Sequence, residues 1–77
     1  MRTTKEIKQD LEKLLRDNGG RTAVIDIRDP AYEPLVVQEL SRATVRMELS
    51  LSGIAVEFPM IGSTELRIYK MIGRQYE

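Results

Sequence analysis

The sequence predicts a small α+β domain, its helices packed on one face of a mostly antiparallel four-stranded sheet in the order α-β-α-β-β-β. Three observations predict it. Residues 3–18 repeat apolar side chains at helical spacing, residues 44–58 alternate apolar and polar side chains about Ser52-Gly53, and glycine or proline punctuates most junctions. A chain of 77 residues has room for one domain, residues 1–77.

The first helix covers 3–18. Ile7, Leu11, Leu14 and Leu15 make one stripe, and Thr3 with Glu6 fits a capping box. Glu12 and Arg16 form an i,i+4 pair in the favourable orientation. Asn18, Gly19 or Gly20 ends the helix in the left-handed conformation. Residues 21–28 follow as a strand with Ala23, Ile25 and Ile27 on one face, broken by Asp29-Pro30.

Residues 34–42 read as a short helix opened by Pro34, with Val36, Leu40 and Ala43 on one face. The run Leu35-Val36-Val37 is β-like and leaves a strand as the alternative there. Next comes the expected hairpin. Val45, Met47, Leu49 and Leu51 alternate with polar residues, and Ile54, Val56 and Phe58 resume the alternation. Pro59 ends that strand, and residues 64–72 form the last one, with Leu66, Ile68 and Ile72 inward and Glu65, Arg67 and Tyr69 outward. Residues 73–77 are expected to fray. The predicted core is Ile7, Leu11, Leu14, Leu15, Ile25, Ile27, Val36, Leu40, Val45, Met47, Leu49, Val56, Phe58, Leu66 and Ile68.

Composition narrows the chemistry. Lys+Arg and Asp+Glu are 12 each, and 42% of residues are hydrophobic, which suits a globular chain and disfavours a generic nucleic-acid binder. The chain has no Cys, so disulfides, thiolate nucleophiles, zinc fingers and iron–sulfur clusters are excluded, and a cytoplasmic setting is expected. It has no His, which removes the usual general base near neutral pH and the commonest metal ligand. No cofactor is expected. The longest apolar runs are far short of a membrane span. Aromatic residues are only 5%, so the core lacks bulk and a homodimer is expected to supply further burial. The element order also differs from that of double-stranded RNA-binding domains.

The pattern points first to a non-enzymatic protein-interaction module. It would act as a regulator or inhibitor that occupies a partner's surface, a class that includes inhibitors carried by viruses and mobile elements. Met-Ile-Gly occurs twice, at 60–62 and 71–73. Apolar pairs entering turns are hard to bury, and methionine adapts to partner surfaces. The expected interface is Met60, Ile61, Tyr69, Met71, Ile72 and Tyr76, with the first or last strand as an open edge. A second reading uses Arg42, Arg46, Arg67, Lys70 and Arg74 as a basic stripe for nucleic acid. A third is a carboxylate–magnesium enzyme. It would use Glu48 facing Glu57 across the hairpin, or Asp26 and Asp29 with Glu33. The ordinary explanations are an ion ladder for the first pair and turn chemistry for the second.

Overall fold

A computed structural model describes residues 2–71. Among them the elements are α1 (Thr4–Asp17), β1 (Thr22–Asp26), a π-helix (Leu35–Leu40), α2 (Ala43–Leu51), β2 (Ile54–Glu57) and β3 (Glu65–Lys70). The chain is therefore a small α+β unit of three helices and a three-stranded antiparallel sheet among the described residues. No described helix is long and apolar enough to cross a membrane.

The first helix begins as its sequence dictates. Glu6 donates its backbone N–H to the Thr3 hydroxyl at 3.2 Å, and Thr3 donates its own N–H to the Glu6 carboxylate at 2.9 Å. Two orphan donors are satisfied by one reciprocal pair. At the far end Gly20 donates to the Leu15 carbonyl at 2.7 Å. Gly19 and Gly20 take the left-handed conformation (φ 96° and 94°), while Asn18 stays at φ −120° and caps with its side chain on the Leu14 carbonyl. Glu12 pairs with Lys8 at 3.7 Å, one turn before it, where the sequence spacing pairs it with Arg16 one turn after.

The principal correction concerns residues 43–51, which form helix α2 and not a strand. Val45 and Leu49 are buried, whereas Met47 is 62% and Leu51 83% exposed. A period of two contains the i,i+4 spacing of a helix, so Val45 and Leu49 satisfy both patterns. Ala43, Arg46, Met47, Glu48 and Leu49 are strong helix formers, and no glycine or proline interrupts them. The Ser52-Gly53 reversal survives in another role. Gly53, at φ 92°, closes the C-terminus of α2 and feeds β2, so the turn joins helix to strand.

Among the described residues the sheet consequently has three strands in the order β1-β3-β2, and the expected fourth strand at 44–51 is a helix. The last strand is central, and Ala23↔Ile68 and Val56↔Ile68 place one row across the whole sheet. Leu66 and Ile68 are buried, with Glu65 and Arg67 outward, as the alternation requires. Ile72 lies outside the described residues.

Residues 35–40 are helical, but of π type, with Ser41 donating to the Val36 carbonyl at 3.0 Å. Val36 and Leu40 face the core, and Ala43 has moved onto exposed α2. All helices pack on one sheet face. Ile7, Leu11 and Leu15 of α1, Val45 and Leu49 of α2, Val36 and Leu40 meet Ala23, Ile25, Ile54, Leu66 and Ile68. Leu14, Ile27 and Val56, expected in the core, are partly buried against it. Phe58 is exposed, because its strand has no partner from residues 44–51 to pack beside. Ala23 and Ile54 join the core unpredicted.

Candidate interaction surface

The segments that carry Met60 and Met71 leave the sheet at opposite ends. Met60 and Ile61 stand in the loop after β2, 82% and 107% exposed. Met71 follows β3 and donates its N–H to the Gly53 carbonyl at 2.9 Å, beside the start of β2. About 20 Å of strand separates the two ends. Tyr69 lies between them on the outer sheet face, half-buried, donating its hydroxyl to Glu57 at 3.1 Å. That hydrogen bond, and after it the negative charge of Glu57, pushes the Tyr69 phenol above its usual range. Tyr76, like Ile72, lies outside the described residues.

Helix α2 adds apolar surface that the expected hairpin concealed. Ala43, Met47 and Leu51 recur at i, i+4 and i+8 and face outward. Arg46 links this helix to the loop. Its guanidinium lies 5.2 Å from the centre of the Phe58 ring and donates to the Leu40 carbonyl at 2.9 Å. Five large apolar side chains are thus left exposed, Met47 and Leu51 on α2 and Phe58, Met60 and Ile61 in the segment that follows β2. A shallow hollow of about 170 Å³ beside the loop adds Val24 and Pro59 as apolar walls, with Glu57, Glu65 and Arg67 at its rim. Helical periodicity applied to residues 43–51 would have found Met47 and Leu51.

The arginines do not form one stripe. Arg42 caps α2 and Arg46 is tied to the helical layer, whereas Arg67 lies on the outer sheet face beside Glu57 at 3.9 Å. Lys70 ends β3, and Arg74 is outside the described residues. The stripe required residues 44–51 to be a strand next to β3, and they are a helix.

Glu48 and Glu57 are likewise parted, one on α2 and one on β2, so the facing carboxylate pair does not exist. In the other acidic group each carboxylate serves its own turn. Asp26 accepts the Arg28 N–H at 2.8 Å, which holds its carboxyl below the usual range, and Asp29 accepts the Ala31 N–H at 2.9 Å. Glu33 lies further along the same loop. Among the described residues no three His, Cys, Asp or Glu side chains are grouped to hold a metal ion.

One charged cluster was missed. Arg2 grips Glu39 through Nε at 2.8 Å and Nη2 at 2.5 Å, and also bonds Asp10. It ties α1 to the π-helix. The guanidinium keeps the Glu39 carboxyl below its usual range, with Arg42 adding to the effect. The cluster edges a groove of about 430 Å³ floored by Leu11, Leu14, Tyr32 and Leu35. Every charge of the cluster is already partnered, so it is a clamp between elements. No sequence spacing reveals it, because Arg2 and Glu39 lie 37 residues apart.

No known family model, curated protein or solved structure matches this chain.

Proposed function

We propose that the protein is a non-enzymatic protein-interaction module, which acts by occupying the surface of a partner protein and also associates with itself. The observation that carries this reading is the exposure of Met47, Leu51, Phe58, Met60 and Ile61, which we take together as one apolar strip. Exposed large apolar side chains are what a partner's surface desolvates on docking. The chain's polar side chains give weak support to rival chemistry, since Asp26, Asp29, Glu39, Glu57 and Arg2 are used in bonds within the chain. The nucleic-acid reading draws no support from the arginines, which are divided between two faces. Absence of cysteine fits a reducing compartment, the cytoplasm.

A photoreactive residue at position 60, in cells that express the protein, tests the reading. A discrete adduct is expected from position 60, lost when Met47 is replaced by Asp. The solvent-facing Arg16 position should give none. Equal adducts from both positions, or none from either, would overturn it.

A further inference from the structure

Strand β1 is an edge of the sheet, and its hydrogen-bonding phase is fixed by two bonds that bracket it. Lys70 donates to the Arg21 carbonyl and Ile27 donates to the Thr64 carbonyl, each at 2.9 Å. In an antiparallel pair, residues that exchange main-chain bonds alternate with residues that do not. Ala23 and Ile25 therefore direct their backbone groups toward Ile68 and Leu66. Thr22, Val24 and Asp26 direct theirs away from the sheet. The Asp26 carbonyl accepts from Asp29 at 3.0 Å. The N–H groups of Val24 and Asp26 and the carbonyls of Thr22 and Val24 have no partner among the described residues.

We infer that this edge pairs with β1 of a second copy, antiparallel about a two-fold axis at Val24, to give one continuous six-stranded sheet. The row of free groups is its own complement in that register. Val24 opposes Val24 of the second copy and exchanges two hydrogen bonds with it. Asp26 donates to the carbonyl of the opposite Thr22, twice over by symmetry. Side chains agree with the backbone. Inward, small Ala23 meets larger Ile25, which extends each buried layer into the next. Outward, half-exposed Val24 meets itself, and Asp26 faces a threonine hydroxyl, whereas within the chain it faces Glu65. No like charges oppose one another across the new pair.

The edge is also lightly guarded. Natural sheets protect their edges with proline, lysine, bulges or brevity. β1 has five residues, Thr-Ala-Val-Ile-Asp, with no proline or lysine and its one charge, Asp26, at the end of the strand. The other edge, β2, has four residues and runs into Phe58-Pro59. This inference rests on the self-association half of the reading above and not on its apolar strip.

Sedimentation of the full chain over a range of concentrations tests it, together with amide exchange. The expected result is a dimer whose Val24 and Asp26 amides become protected as it fills. Val24→Pro removes a donor the single chain does not use, and Val24→Lys sets two ammonium groups face to face. Either substitution should abolish the dimer and leave the circular dichroism unchanged. The Lys variant serves if the Pro variant fails to fold. A monomer at every concentration, or a dimer that survives Val24→Lys, would overturn the pairing. A dimer lost on Met47→Asp but kept in Val24→Lys would also overturn it, while leaving the apolar strip as an interface. Failure of cross-linking from position 60 would sink the strip and leave this pairing intact.

Discussion

Replacing Leu49, Met47 and Leu51 by alanine, one at a time, separates a helix from a strand at residues 43–51. A half-buried strand would bury all three side chains and make the losses similar. In the helix only Leu49 is fully buried, at 0% exposure. Its truncation removes three carbons worth about 0.8 kcal/mol each and leaves a cavity in the core, so the loss is roughly 3 kcal/mol. Leu51, 83% exposed, should lose no more than about 0.5 kcal/mol. Met47, 62% exposed, should fall between these, close to Leu51. Urea unfolding followed by circular dichroism measures all three. In thermal unfolding the Leu49 variant should melt more than 10 °C lower, taking about 4–8 °C per kcal/mol for a domain of this size. A Leu51→Ala loss as large as that of Leu49→Ala would refute the helix and the apolar strip built on it.

Other expectations follow from the caps and the charged pairs. Thr3→Ala should cost about 1 kcal/mol in urea unfolding, because Glu6 loses its capping partner. Gly53→Ala should cost about 1 kcal/mol although a methyl group has open space there, because the penalty lies in the positive φ alone. Glu39 has a depressed folded pKa, so its pairing with Arg2 stabilises the fold above its ordinary pKa of 4.5 and is lost as pH falls through the lower folded value. Acid unfolding of Glu39→Gln should accordingly show a shallower loss of stability below pH 4.5, with Asp26 still contributing in the same range. The Tyr69 ring, followed by NMR, should titrate above 10.0 and return toward that value in Glu57→Gln. Its folded pKa is raised, so this contact stabilises below pH 10.0 and is lost as pH rises through the folded value.

The elements that could be read from the sequence are those whose local signals agree. In α1 the capping box, the leucine stripe and the paired glycines all specify one helix, and the structure follows them almost residue for residue. In β3 the alternation of Leu66 and Ile68 with charged neighbours admits no helical face. Residues 43–51 failed because their signals conflict, with alternation arguing for a strand and propensity for a helix. The tertiary setting chose the helix, which covers β2 with Val45 and Leu49. That one reversal propagated. It removed a strand, parted Glu48 from Glu57, divided the arginines and exposed Met47, Leu51 and Phe58. At the interaction surface, Met60 and Ile61 were legible because nothing near them in sequence offers cover. The Arg2–Glu39 clamp was not legible, since only the folded chain brings its ends together.

The central position of β3 orders the birth of the molecule. Residues 22 and 69 are neighbours across the sheet, yet most of the chain lies between them. On the ribosome α1 can coil as soon as it emerges, but β1 and β2 have nothing to pair with until Glu65–Lys70 has left the exit tunnel. The nascent chain thus waits with two lone strands, and substitutions that weaken β3 should appear in cells as aggregation during synthesis before they appear in purified protein as lowered stability.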